Sequence, residues 1–260
     1  MSRRRPTESV AVLVAAVTAL AGCTPSPTTT VVRDDGEQVT LDWADYPGHA
    51  WVDAEQALAA PSQAAAERIG ANLLDDVETA LDARVDLTWS TRTDASWAPV
   101  GGNGYGGSSA YITYNSPIRE TDDLPTDPQD WRALVDVVSA VAEEHGLGPV
   151  VLEHERLRQD GEAEALASLH EEAGTADPDR FWSWSGTADS GTQWLSVTLT
   201  DVRRHPDAAK IDEYRDLGLP LRSISLDYGV TTVADDERAG FRARLAPFES
   251  LDKPEATGSD

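Results

Sequence analysis

A single cysteine, Cys23, serves the whole 260-residue chain. One thiol makes neither an internal disulfide framework nor a cysteine-ligated zinc site, so whatever folds here must be held by packing alone. Apolar residues make up 40% of the sequence, a modest fraction, but eight Trp, six Tyr and three Phe supply large side chains for a core. The 46 acidic residues outweigh 21 Lys and Arg, for a formal net charge of −25. That charge excludes binding to a nucleic-acid backbone by general electrostatics. Only two of the cations are lysines, Lys210 and Lys253.

The position of the cysteine constrains its use. Arg3, Arg4 and Arg5 are followed by an apolar run from Val10 to Leu20 and then by Leu20-Ala21-Gly22-Cys23. The run is too short to span ~30 Å of hydrocarbon as a helix. Basic residues, a short apolar stretch and small residues before a cut describe an export signal. A cysteine directly after them makes a lipobox, so the N-terminus resembles that of a bacterial lipoprotein precursor. The resemblance implies cleavage between Gly22 and Cys23 and acylation of the Cys23 thiol. It places the protein on the extracytoplasmic face of the cell membrane, held by lipid. The paired arginines also suit twin-arginine export, but Pro6 and Thr7 stand where that signal prefers bulky apolar residues. Cleavage removes three arginines and Glu8, taking the formal charge from −25 to −27. An anionic leaflet repels such a body, so the membrane contact must be the lipid itself.

Four parts are expected: a signal peptide over 1–22, a lipidated Pro/Thr-rich acidic tether over 23–45, a globular domain over 46–250 and a disordered tail over 251–260. Three helices are well signalled. The first runs from the Ser62 cap to about Ala83 with Ile69, Leu73, Val77 and Leu81 on one face. The second has Asp127 as N-cap, Pro128 in its first turn, a buried stripe from Trp131 to Ala142 and Gly146 at its end. The third starts near Asp235 or Asp236 and buries Phe241, Leu245 and Phe248. Weaker helical patterns cover 161–172 and 207–216. Alternation predicts strands around Val85-Trp89, Ala110-Tyr114, Val150-His154, Leu195-Leu199 and Ile224-Val230. Strands that follow one another directly imply a largely antiparallel sheet. With helices on one face, the expected class is α+β, a two-layer sandwich.

A lipobox, a long helix, Leu87-Thr88-Trp89, a glycine-rich loop, a tyrosine strand, Ser116-Pro117 and the Trp131 helix ending at Gly146-Leu147 occur in that order. Over roughly residues 60–155 this arrangement resembles the actinobacterial LppA-like lipoproteins. The resemblance implies an envelope lipoprotein and carries no catalytic residue across. Members often have cysteines in the folded domain; this chain has none after Cys23.

Chemistry-bearing motifs are sparse. Gly102-Asn103-Gly104-Tyr105-Gly106-Gly107 matches G-x-G-x-x-G, but an extended segment follows where a dinucleotide site needs a helix. It reads as a flexible hairpin loop whose glycines supply positive φ. Glu153-His154-Glu155 invites a metal, yet on a strand His154 points away from both glutamates. His145 sits at a helix C-terminus, where imidazole suits the dipole. The doublets Asp75-Asp76, Asp122-Asp123 and Asp235-Asp236 read as solvated faces and caps. Ser250-Leu251-Asp252-Lys253 is an S-x-x-K without its companion motifs. No cofactor, metal or catalytic residue is called for.

One aromatic cluster stands out. Trp182, Trp184 and Trp194 flank a hairpin turn placed at Ala188-Asp189-Ser190-Gly191. Paired residue numbers summing to 378 set Trp184 opposite Trp194 and build a face for sugar rings. A sum of 379 sets Trp184 and Trp182 opposite Leu195 and Val197 and sends them to the core. The expected function is a non-catalytic envelope lipoprotein that binds a ligand, a wall polymer or an envelope protein. The alternative is an anchored hydrolase of wall glycan, which requires two opposed carboxyl groups with raised pKa values in a cleft.

Overall fold

The computed structural model describes residues 25–32 and 36–257. Gly22 and Cys23, and with them the expected cleavage and lipidation sites, lie outside these residues. The chain is α+β, as expected. A short hairpin comes first, β1 (Thr28–Val32) against β2 (Gln38–Asp42). Next are α1 (Ala54–Ala59) and α2 (Gln63–Asp82), then β3 (Ser90–Thr91), β4 (Ser96–Pro99), β5 (Tyr111–Asn115) and β6 (Arg119–Thr121). After α3 (Pro128–Glu144) come β7 (Val151–Leu152), α4 (Glu153–Gln159) and α5 (Ala163–Ala173). The chain ends with β8 (Ser183–Ser190), β9 (Gln193–Asp201), α6 (Ala209–Asp216), β10 (Arg222–Val233) and α7 (Arg238–Leu245).

Eight strands form one sheet, in the order β3-β6-β10-β9-β8-β7, with β5 beside β10 and β4 beside β5; the pairings are antiparallel. The long strand β10 has β9 on one side and both β5 and β6 on the other. The break between β5 and β6 falls at Ser116-Pro117. Proline has no N–H to give the ladder, and buried Ser116 takes over: its N–H donates to the Tyr228 carbonyl and its hydroxyl accepts from the Tyr228 N–H, both at 2.8 Å.

One face of the sheet is apolar. Ile224, Leu226, Tyr228 and Val230 join Leu195, Val197, Leu199 and Trp184 beneath α2 and α3. Helix α3 matches its sequence signals closely. The Asp127 carboxylate accepts from the Gln129 N–H at 2.9 Å, Trp131, Leu134, Val135, Val138, Val141 and Ala142 are buried, and Gly146 leaves the helix with φ +82°. Ser62 stands at the N-cap of α2 but its side chain makes no capping bond; Asp235 instead accepts from the Gln63 N–H at 3.4 Å. Gly70 brings α2 close to the sheet, since a Cβ there would meet Tyr228 Cδ1 at 2.5 Å.

A second core lies on the opposite face, at one end, where Tyr111 pairs with Val233. Trp43, Tyr46, Tyr105, Phe241, Leu245 and Phe248 close over them together with α1. The sandwich therefore gains a third layer at this end.

Three expectations need correction. Residues 28–32, read as part of a solvated tether, form a strand. Thr29 Oγ1 accepts from Trp43 Nε1 at 2.9 Å, the Pro27 carbonyl from the Trp43 N–H at 2.9 Å and Ser26 Oγ from the Ala44 N–H at 2.8 Å. The tail is clasped as well: Thr257 N–H donates to the Gly104 carbonyl at 2.8 Å, and Lys253 reaches three carbonyls described below. Composition registered the polarity of both segments, but a polar strand can pair through its backbone. Third, the 85–89 and 150–154 alternations are not full strands. Only Ser90–Thr91 and Val151–Leu152 enter the sheet, and Glu153-His154-Glu155 opens helix α4, with acidic residues in its first turn and Arg156 and Arg158 in its last, as the helix dipole favours.

Candidate binding site

The β8–β9 hairpin has a register that neither sequence alternative contained. Paired numbers sum to 383, with Ser190 opposite Gln193 and Gly191 in the turn at φ +63°. Trp184 faces Leu199 on the core side and is 1% exposed. Its indole N–H donates to the Pro178 carbonyl at 2.9 Å, and its ring meets Trp131 edge-on at 5.6 Å. Trp182 precedes the strand, half-buried, with its ring 4.9 Å from that of His205. Trp194 points to the other face of the sheet, opposite Gly229. The three rings form no common platform. Parity accounts for this: an odd sum sends Trp184 and Trp194 to opposite sides whatever the turn.

Trp194 shares a cleft with a different aromatic residue. Its indole lies on Gly229, where a Cβ would come within 2.1 Å of the ring. Above it, the loop before α1 carries Trp51, the most exposed large apolar residue described, at 72%. Trp51 and Trp194 line one cleft of about 240 Å³, with Asp53, Gln56, Asp189 and Thr192 supplying polar walls.

The Trp51 loop is held by design of its backbone. His49 and Val52 form a bridge, and the His49 ring lies 5.1 Å from that of Trp51. The Lys253 ammonium donates to the carbonyls of His49 at 3.1 Å, Ala50 at 3.4 Å and Val52 at 2.9 Å. Burial lowers the Lys253 pKa, partly offset by Asp53. A charge bound to three carbonyls fixes a short loop more firmly than a neutral contact. The lysine of the S-x-x-K pattern is therefore a tie for the loop. No sequence signal marks Trp51 as a site residue, because Trp194, which shares its cleft, and Lys253, which ties its loop, are both remote in the chain.

The remaining motifs resolve structurally. In the G-x-G-x-x-G loop, the buried Asn103 amide donates to the Trp43, Ala44 and Tyr46 carbonyls and its oxygen accepts from the Tyr105 and Gly107 N–H groups. These bonds tie the loop to the 43–46 segment, and the expected flexibility is replaced by a tight clasp. Gly107 has no room for a side chain, since a Cβ would sit 1.8 Å from the Ala44 carbonyl oxygen. His145 Nε2 lies 2.8 Å from Asp76, tying α3 to α2. Among the described residues no three His, Cys, Asp or Glu side chains converge to hold a metal ion.

Among the described residues, two carboxyl groups have raised pKa values. Burial raises Glu78, against the Arg119 guanidinium 3.4 Å away. Burial also raises Asp227, against a hydrogen bond from Ser196 and the charge of Arg92. Arg119 pairs with Leu226 on the face covered by helices, and Asp227 pairs with Ser196 on the other. The two carboxyls thus lie on opposite sides of the sheet and do not oppose one another across a cleft. Comparison of the chain with protein-family models, with curated proteins and with solved structures finds no match to any of them.

Proposed function

We propose that this chain is a lipid-anchored, extracytoplasmic envelope protein that binds a ring-bearing unit of the wall polymer in the Trp51–Trp194 cleft without catalysis. The observation that carries the binding reading is Trp51, held out to solvent at 72% exposure across a cleft from a second indole. Exposed aromatic faces with amides, carboxylates and hydroxyls around them suit a polar ring, which offers C–H groups to the indole and hydroxyls to the rim. The separation of Glu78 from Asp227 favours binding over hydrolysis, which needs two carboxyl groups flanking one bond.

The anchoring reading rests on Leu20-Ala21-Gly22-Cys23. Its consequence follows from the clasped N-terminal segment. Ser26 and Pro27 are already bonded to the body. Thr24 and Pro25 alone then lie between the acylated cysteine and Ser26, three Cα–Cα steps of ~3.3–3.6 Å each. The body would stand about 10 Å from the bilayer, close to the ~8 Å screening length that softens its repulsion from anionic lipid.

The test is titration of detergent-solubilised full-length protein with soluble fragments of wall glycan, followed by tryptophan fluorescence. Saturable quenching that disappears in Trp51→Phe with the fold intact is expected. A wild type that does not respond, or a Trp51→Phe variant that responds equally, would overturn the reading.

A further inference from the structure

We infer that the cavity between the edge of β8 and the helical pair α4–α5 is a binding site for an organic ammonium group. This site is separate from the Trp51–Trp194 cleft and rests on different residues. Its origin is the shortness of β7. That strand covers only Thr187 and Gly186 before Glu153 begins α4, so Ser183–Ser185 pair with β9 on one side and have no strand on the β7 side.

The parity of β8 shows which backbone groups are free. The Trp182 carbonyl accepts from the Asp201 N–H, so even positions turn toward β9. The Asp189 carbonyl accepts from the Gly148 N–H, so odd positions turn away. Ser183 and Ser185 therefore point their backbone groups out of the sheet, and both residues line a cavity of about 210 Å³.

Aromatic rings wall this cavity: His154, Phe181, Trp182 and Trp184. The His154 ring meets Phe181 edge-on at 5.6 Å and lies 5.9 Å from Trp184. His154 is 3% exposed, yet neither ring nitrogen makes a hydrogen bond among the described residues; Glu155 Oε1 stands 3.9 Å from its Nε2. The ring nitrogens are not sealed from solvent, so the imidazole is open to an occupant of the cavity. Burial lowers the His154 pKa, leaving a neutral imidazole with one accepting nitrogen.

The charges facing the site select the ligand. Glu153 and Glu172 line the cavity and are exposed at its rim. Glu155 and Asp179 also act on His154, against Arg132 and Arg158. Arg132 lies over Trp184 at 4.9 Å, but its charge is paired with Glu155 at 2.9 Å. An anion meets carboxylates here, and a neutral apolar molecule leaves the imidazole and serine carbonyls unpaired. An alkylammonium satisfies all three features: its charge meets aromatic faces and carboxylates, and its N–H groups meet carbonyl and imidazole acceptors. A free amine and a lysine side chain offer this chemistry equally.

Isothermal titration of the detergent-solubilised full-length protein with n-butylammonium chloride tests the site, with n-butanol as the uncharged isostere. Saturable 1:1 binding is expected, weakened about tenfold or more in Glu153→Gln/Glu172→Gln and by a similar factor in His154→Phe. The glutamates are exposed, so the double variant keeps the fold whatever His154→Phe does. Binding of Nα-acetyl-lysine methylamide more tightly than butylammonium assigns the site to a lysine side chain; the reverse order assigns it to a free amine, and either supports the ammonium site. Equal affinity for butanol, or unchanged binding in the double glutamine variant, overturns it.

Discussion

Gly70 offers a test in which two well-known effects have opposite signs. It lies inside the 20-residue helix α2, where replacing glycine by alanine normally gains ~1 kcal/mol of helix stability. Here the new Cβ would stand 2.5 Å from Cδ1 and 3.1 Å from Cε1 of Tyr228. The ring has little freedom to yield. It is fully buried, its hydroxyl donates to Gln193 Oε1 at 2.8 Å, and its backbone is locked on both sides of the N–H and carbonyl by Ser116. Overpacking of this kind costs ~1–3 kcal/mol. Gly70→Ala should therefore be destabilising by up to about 2 kcal/mol after the propensity gain is subtracted. Gly240 in α7 is the internal control, because a Cβ there meets nothing within 4 Å. Gly240→Ala should be neutral or stabilising by up to ~1 kcal/mol. Urea denaturation of the two variants beside wild type reads the difference. Equal stabilisation by both would refute the close approach of α2 to Tyr228, and with it the packing of the principal core.

Three further outcomes are expected. Trp131→Ala should cost ~3–5 kcal/mol, since the ring is fully buried against Trp184 and its N–H donates to the Pro125 carbonyl at 2.7 Å; an unchanged urea midpoint would show that this stripe is not core. Cys23→Ala should release the protein from membranes washed in high salt, because no second cysteine can accept the lipid; equal retention of mutant and wild type would reject the anchor. His154 has its folded-state pKa lowered by burial from 6.5, so its contribution to stability is full above that value and is lost as pH falls below it toward the depressed folded pKa. Wild type should lose more stability than His154→Gln over that acid interval in denaturant titrations at stepped pH; parallel curves would show that the imidazole is not held neutral.

What the sequence disclosed and what it hid divide along the range of the interactions. Helix α3 was legible because its cap, first-turn proline, apolar stripe and terminal glycine are all local, and the structure uses each of them. The stripes Leu195-Val197-Leu199 and Ile224-Leu226-Tyr228-Val230 were legible because alternation directly encodes which side of a strand is buried. Register was not. Gly191 sits at the φ +63° position of a tight turn, so the hairpin closes at Gly191-Thr192 and not around Ser190. That displacement changed the partners of Trp184 but preserved its side, because 379 and 383 are both odd. The 28–32 strand was hidden because its stabilising contacts come from Trp43 and Ala44, not from its own pattern. The candidate site was legible only in part: Trp194 was among the residues expected to bind, but Trp51 joins it across the cleft, and Lys253 ties the Trp51 loop, only through the tertiary fold.

The central claim is that an anchored body presents the Trp51–Trp194 cleft to a wall polymer. Co-sedimentation of detergent-solubilised full-length protein with purified insoluble wall glycan measures this directly. The account predicts saturable binding by wild type and a loss of about tenfold or more, or ~1.4 kcal/mol, in Trp51→Ala, whose exposed ring contributes little to the fold. Wild-type protein that stays in the supernatant, or a Trp51→Ala variant that sediments as wild type does, would contradict it.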